Sequence, residues 1–425
     1  MPVQIRLIGP EEVRAWARSA SVPFLNPAHS DADAAVWEAQ WGPHLEMGRT
    51  WGVEDRGRFV GNACVFSRTV TVPAAPGALC PVVPFAAISG VGVHPTHRRR
   101  GLLRRLMGEM LTDARARGEA IAGLLASEAS IYGRFGFGPA TTAAVYDLDT
   151  RVSGFAHPAP VVELDLLPPA EAAKVLPDVF RRACARQPGQ VNRDDATWAN
   201  VIGDDPAGRG RFSARSYVVA PTGYATWRTE EVLDVHGEYG RAQVDTLVAE
   251  TAETEAALWR FVLDLDLVRE VRVFRRPVDE PLRYRLADSR QLRTLAVTDL
   301  LWLRILDVVA ALGARGYLRP GRLVLDVRRP AATPVGPDGV DGPDPVTGRW
   351  HLDAGPDGAS CRPAAAAEAT DLVLGLAELS ALFGGGVRAS VLAAAGRIDE
   401  ERAGALDVAD GLFVSRPAPL SSTGF

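Results

Sequence analysis

Apolar residues recur along this chain with two periods, and the change of period marks its elements. Leu102, Leu103, Leu106, Met107, Met110 and Leu111 fall at helical spacing and predict an amphipathic helix opening at Leu102. Just before it, residues 88–93 form a short apolar run closed by Pro95, the pattern of a buried strand. Residues 120–126 form a second such run after the helix. Upstream, the pattern predicts a short strand and a helix within residues 4–20, the helix around residues 11–18. It also predicts a helix over 34–41 and strands at 50–54 and 59–68 joined by the turn Asp55-Arg56-Gly57-Arg58. A strand at 140–148 is expected to be the last of this unit. Strands and helices mixed in this order fit an α+β domain.

Further along, Pro158–Pro160 marks a boundary. Helices are expected at 169–186 and 194–201, and strands at 216–220, 224–229 and 241–248. A strand–turn–helix then repeats the layout of the first unit, with the turn reading Ala249-Glu250-Thr251-Ala252-Glu253-Thr254-Glu255. A third unit begins near residue 295, with a helix over 299–314, a strand at 322–328, a Pro/Gly/Asp-rich loop over 330–348, a strand at 349–354 and a helix at 376–383. The expected divisions are 1–155, 156–294 and 295–425.

Composition narrows the class of molecule. A chain of 425 residues exceeds what one core supports. With 47% hydrophobic and 23% charged residues it reads as ordinary globular protein, and a net charge of −5 gives no sign of nucleic-acid binding. Cys64, Cys80, Cys184 and Cys361 are widely spaced and read as reduced, buried thiols of a cytoplasmic protein. The histidines show no metal-ligand spacing, so no metal is expected. No signal peptide is evident, and the apolar run 300–312, broken by Arg304 and Asp307, is too short to span a bilayer.

The chemistry concentrates between residues 88 and 139. Gly90 and Gly92 weaken the ladder of the strand that holds them and admit another backbone. The basic turn Arg98-Arg99-Arg100-Gly101 ends at a helix N-terminus, where free N–H groups and the positive end of the dipole suit a pyrophosphate. The equivalent turn of the second unit holds three glutamates, no Gly and no Arg, and would repel one.

Val91-Gly92-Val93-His94-Pro95-x-x-Arg98-x-x-Gly101 resembles the acyl-CoA signature of the GNAT N-acetyltransferases, with Leu103 where that pattern ends in Gly or Ala. Together with Ser127-Glu128-x-x-x-Tyr132-Gly133-Arg134-Phe135-Gly136-Phe137-Gly138-Pro139 and a terminal Phe425, it is similar to the Eis (enhanced intracellular survival) type branch. Asp371-Leu372-x-Leu374 and Leu382-Phe383-Gly384-Gly385 look like the sterol-carrier-type fold with which that branch ends. The resemblance implies two GNAT-type domains, the second degenerate and without a CoA site, followed by a sterol-carrier-like domain.

It also implies an acetyl-CoA-dependent N-acetyltransferase that acts on primary amines, aminoglycosides among them, by direct transfer in a ternary complex. Acetyl-CoA is the cosubstrate, held by Val91, Gly92, Val93, Arg99, Arg100, Gly101, Leu102, Leu103, Arg104, Ser127 and Glu128. Tyr132 is the expected general acid, and the C-terminal carboxylate of Phe425 the expected general base. Where members often carry an acid beside that Phe, this chain has Gly424, one negative charge fewer beside a cationic acceptor. Phe24, Trp37 and Trp41 are candidate pocket walls, although two Trp one turn apart are more often core. A homohexamer is implied by the resemblance alone. Two other readings stand beside this one: an acyl-CoA-sensing or lipid-binding protein without catalysis, and an acyltransferase for longer acyl chains.

Overall fold

The computed structural model describes residues 3–203, 209–235, 237–329 and 344–425. Three sheets carry the fold. The first runs in the order Gln4–Leu7, Thr50–Asp55, Arg58–Thr71, Val82–Val93, Ile121–Leu125, Leu301–Ile305, Gly138–Pro139. Arg56 and Gly57 both take positive φ, 52° and 74°, as a two-residue hairpin turn of the primed type needs. Helix Leu102–Ala116 buries Leu102, Leu106, Met107, Met110 and Leu111 on one side of this sheet. Helix Val13–Ser21, with Trp16, packs on the other side.

The second sheet runs Arg293–Asp299, Thr142–Asp149, Val268–Arg276, Gly237–Ala249, Gly223–Asp234, Ser216–Ala220, Asp165–Leu166. Strand Thr142–Asp149, expected to close the first unit, is therefore a member of the second sheet. Leu301–Ile305, from beyond residue 295, is an interior strand of the first sheet. The chain crosses between sheets twice, antiparallel to itself: Gly138–Pro139 pairs with Leu303 and Trp302 in one sheet, and Thr142–Asp147 with Arg293–Asp299 in the other. The crossing point is locked where Leu301 N–H donates to Thr141 Oγ1 at 2.9 Å and Leu300 N–H to Thr141 O at 3.1 Å.

The helix expected over 299–314 is thus a strand followed by the shorter helix Val308–Ala314. Leu301, Leu303 and Ile305 face one core while Trp302 faces the opposite one, the alternation of a strand buried on both faces. Asp307 breaks the run by accepting from Ala310 N–H at 3.0 Å, a helix N-cap.

The third sheet orders Gly358–Pro363, Gly348–Gly355, Gly321–Arg328, Leu372–Gly375, Ile398–Glu400. Helix Leu376–Gly384 wedges between it and the first sheet, so close that a Cβ at Gly138 would lie 2.0 Å from Ala377 O. Most of the expected loop, residues 330–343, lies outside the described residues. Asp344 beyond it is buried and ion-paired to Arg304 and Arg115. All four cysteines are free and buried, and burial pushes the Cys80 and Cys361 thiols up to about 11. Among the described residues no helix is long and apolar enough to cross a membrane.

Candidate active site

Val82–Val93 and Ile121–Leu125 run parallel, yet only Ala86 and Ala87 pair across, opposite Ala122 and Gly123. Beyond that the strands part, and the edge of residues 88–93 that faces the gap has no strand partner among the described residues. The opposite edge explains the divergence. Asn62 lies opposite Gly92 and Cys64 opposite Ser89, so one residue is extra on the inner strand. Gly90 takes φ +59°, and a Cβ there would sit 3.1 Å from Trp16 and 3.3 Å from Cys64 Sγ. A glycine bulge therefore bends the strand away. Asn62, fully buried, closes the bulge by donating its amide to Gly90 O.

The basic turn sits at the end of this fork. Arg99 and Gly101 both take left-handed φ, 63° and 75°. Arg105 N–H donates to Gly101 O at 3.1 Å as the first bond of the helix, so the N–H groups of Leu102 and Leu103 have no carbonyl a turn earlier in it. Left-handed residues before a helix N-terminus form an anion-binding concavity. No atom lies within 4 Å of a Cβ built on Gly101, so the concavity is open. His97 Nε2 pins the turn to Asp55 Oδ2 at 3.0 Å. The cradle fits a pyrophosphate, and the unpaired edge of Val91, Gly92 and Val93 fits a chain of amides.

The other arm of the fork leads past exposed Ser127 and Glu128 into the short helix Ala129–Tyr132. Tyr132 is 8% exposed, packs edge-on against Phe137 at 6.2 Å and shares a core with Leu102 and Leu106. Its hydroxyl makes no hydrogen bond among the described residues. Burial raises the phenol above its ordinary value, and the nearby Glu128 charge adds to the rise. The phenol is therefore protonated at neutral pH.

Phe425 lies on the opposite face of the sheet. Its ring meets Phe85 edge-on at 5.9 Å, and a Cβ on Gly424 would lie 3.9 Å from Leu125 Cδ1. The tail is not frayed. Leu420 N–H donates to Pro188 O at 2.9 Å, Ser422 Oγ to Gln190 Oε1 at 2.7 Å and Thr423 Oγ1 to Val191 O at 2.8 Å. Thr423 is 3% exposed. Segment 189–192 in turn pairs with Thr69–Thr71 of the first sheet. Tyr132 and Phe425 thus pack in cores on opposite faces of the first sheet.

The tail forms one wall of a cavity of about 840 Å³ between the first two sheets. Of the three aromatic candidates, Trp41 lines it. Phe24 stands behind, 6.4 Å from Trp41 centre to centre, and Trp37, like Trp41, is half-buried against the core but does not reach the cavity. Tyr132 and the basic turn do not line this cavity. Sequence reasoning missed its far wall, Arg193, Asp245 and Arg275 of the middle unit, and nothing in their local sequence marks them. It also missed Asn62, which only the bulge explains.

The middle unit repeats the fork and fills it. Gly237–Ala249 and Val268–Arg276 pair in parallel only as far as Val244 and Val273. Beyond that point the buried Arg276 donates to Leu247 O at 2.7 Å, Glu255 at 2.6 Å and Glu280 at 2.6 Å. The following helix, Ala252–Leu263, is capped by Thr251 and carries Glu253 and Glu255 in its first turn.

Family models of the acetyltransferase (GNAT) domain match residues 4–140 and 189–305, and one of the sterol carrier protein domain matches 308–422. N-acetyltransferase Eis of Mycobacterium tuberculosis is 34% identical, over 96% of this chain and 91% of its own. The chain belongs to the Eis-type GNAT N-acetyltransferases. An uncharacterized N-acetyltransferase of Streptomyces griseus is 36% identical over 97% of both chains. The crystal structure of Eis1 from Mycobacterium abscessus superposes over 100% of both chains with a TM-score of 0.83 at 29% identity. The Eis-type chain described here is therefore an N-acetyltransferase built from two GNAT domains and a sterol-carrier-like domain. The relatives' names do not state its acceptor.

Proposed function

We propose that this N-acetyltransferase moves an acetyl group from acetyl-CoA to a primary amine, directly, within a ternary complex. The observation that carries the reading is the open fork between the two parallel strands, with a basic concavity at its end. Acetyl-CoA supplies an activated thioester. Leu102 and Leu103 offer N–H groups, and Arg99 and Arg100 offer charge, to its pyrophosphate. The free edge of Val91–Val93 pairs with the pantetheine amides, and one N–H there meets the oxygen on which negative charge builds. The Phe425 carboxylate receives the amine's proton as nitrogen bonds to the acetyl carbon. Tyr132 gives its proton to sulfur as the carbon–sulfur bond breaks. The filled second fork supports a single CoA site per chain, and the hexamer implied by the resemblance is tested by light scattering.

The test is acetyl-CoA-dependent thiol release with a panel of amines that includes an aminoglycoside, beside calorimetric titration of CoA. Turnover with some amine and one CoA per chain is expected. No thiol release, or two CoA sites, overturns the reading.

A further inference from the structure

The cavity beside Phe425 has an uneven charge. Its lining holds four arginines, Arg68, Arg193, Arg215 and Arg275, against one aspartate, Asp245, and the terminal carboxylate. Two of the arginines are neutralised: Arg68 by Asp194 at 2.7 Å, and Arg215 by Asp245 at 3.0 Å. Asp245 is shared with Arg228 at 3.2 Å, which leaves it poorly placed to meet an ammonium. His44, also in the lining, is held neutral because burial lowers its pKa.

Arg193 and Arg275 remain. Neither is ion-paired to a carboxylate among the described residues. Their guanidinium groups converge on one atom, Ser422 O, at 3.3 and 3.4 Å. Arg193 is fixed over the rings of Phe180 and Trp198, at 4.0 and 5.0 Å. Arg275 is delivered by a bulge. Val273 lies opposite Tyr146 and Arg276 opposite Ala144, so Phe274 and Arg275 share the space of one residue. Arg275 takes φ +55° there, and both side chains reach the cavity, whereas adjacent strand residues ordinarily face opposite ways. A strained, solvent-accessible arginine beside a like charge is an arrangement that an anion completes.

Resting on the acetyltransferase reading above, we infer that the acceptor is an amine bearing a carboxylate, which Arg193 and Arg275 bind while its amine faces the Phe425 carboxylate. Two arginines and one terminal carboxylate leave a single positive charge, which one carboxylate meets when the reacting amine is in its neutral form. Two residues lie between Ser422 and Phe425, so the two ends of the proposed site lie at most about 10 Å apart along the tail. A polycation meets the same arginines as repulsion.

Three acceptors of equal chain length test this: 6-aminohexanoate, its amide 6-aminohexanamide, and hexane-1,6-diamine. The wild type should favour the carboxylate over the diamine in kcat/KM by about ten-fold or more, the size expected of charge-assisted hydrogen bonds. Arg275→Gly relieves the backbone strain and removes the charge, so it should fold while compressing that ratio. Arg275→Glu should reverse it. A wild type that prefers the diamine, or a ratio unmoved in both variants, overturns the inference. Calorimetric binding of the same compounds reads the preference without turnover. If no amine is acetylated the acetyltransferase reading falls, and carboxylate binding that weakens in Arg275→Gly still stands or fails by itself.

Discussion

Consider a single glycine appended after Phe425. It leaves every native side chain in place, including the edge-on pair with Phe85, and moves only the terminal charge. The tail should stay docked. Its bonds to Gln187, Pro188, Gln190, Val191 and Arg193 contribute about 0.5–1.5 kcal/mol each, on the order of 5 kcal/mol together. Pulling out Leu420, Ser421 and Thr423 would also expose residues at most 7% accessible. The extra residue must therefore project into the cavity and carry the carboxylate up to about 3.6 Å from its position. Displacement of a reacting group by about 1 Å can cost about 10²-fold, and loss of a positioned base about 10²–10⁴-fold. Initial rates at saturating amine should fall within that range, while CoA affinity by calorimetry and the melting temperature stay at wild-type values. A tag at the N-terminus should be harmless. Deleting Phe425 is a blunter test, since it also removes an aromatic pair worth about 0.5–1.5 kcal/mol. An extended enzyme that turns over at the wild-type rate would place the base elsewhere and return the tail to a structural role.

Tyr132→Phe should keep CoA affinity and lose roughly 10²–10⁴-fold in kcat. Because burial raises this phenol, the wild-type pH–rate profile should show no loss of the acid below about pH 10. Gly101→Asp should lower CoA affinity by at least about ten-fold, as a carboxylate in the concavity opposes the pyrophosphate. Its stability cost should be only about 1 kcal/mol, since strain at φ +75° is the sole penalty where no protein atom lies within 4 Å. A chain cut at residue 295 should fail to give a folded first domain, measured by circular dichroism and solubility. A soluble, CoA-binding 1–294 fragment would contradict the crossed topology.

Local pattern carried much of this molecule. The period-3.6 run from Leu102 predicted the helix that carries the basic turn, and the apolar runs beside it predicted both arms of the fork. What stayed hidden was partnership. Residues 300–312 read as one helix because Leu300, Leu301, Leu303, Arg304 and Asp307 fit a 3.6 period as well as a strand and a capped helix, and only burial between two cores decides for the strand. Strand Thr142–Asp149 was legible as a strand, but its sheet is set by a crossing partner about 150 residues away. The site divided the same way. The proposed CoA side is local in sequence, a basic turn at the head of a helix beside a glycine-bearing strand. The proposed acceptor side is assembled from the tail, a bulge at Arg275 and a loop at Arg193, which meet only in three dimensions.

The crossed strands also set the order in which the chain can mature as it leaves the ribosome. Ile121–Leu125 emerges early, but the strand that covers its outer edge, Leu301–Ile305, is made much later. At about 5–20 residues per second the wait is on the order of 10–30 s. Throughout it, the nascent chain presents an apolar strand with a free row of backbone groups, the feature most prone to pair with another chain. Until Leu301–Ile305 is made, that edge has nothing of its own chain to pair with, and its exposure ends only when the last third of the molecule arrives.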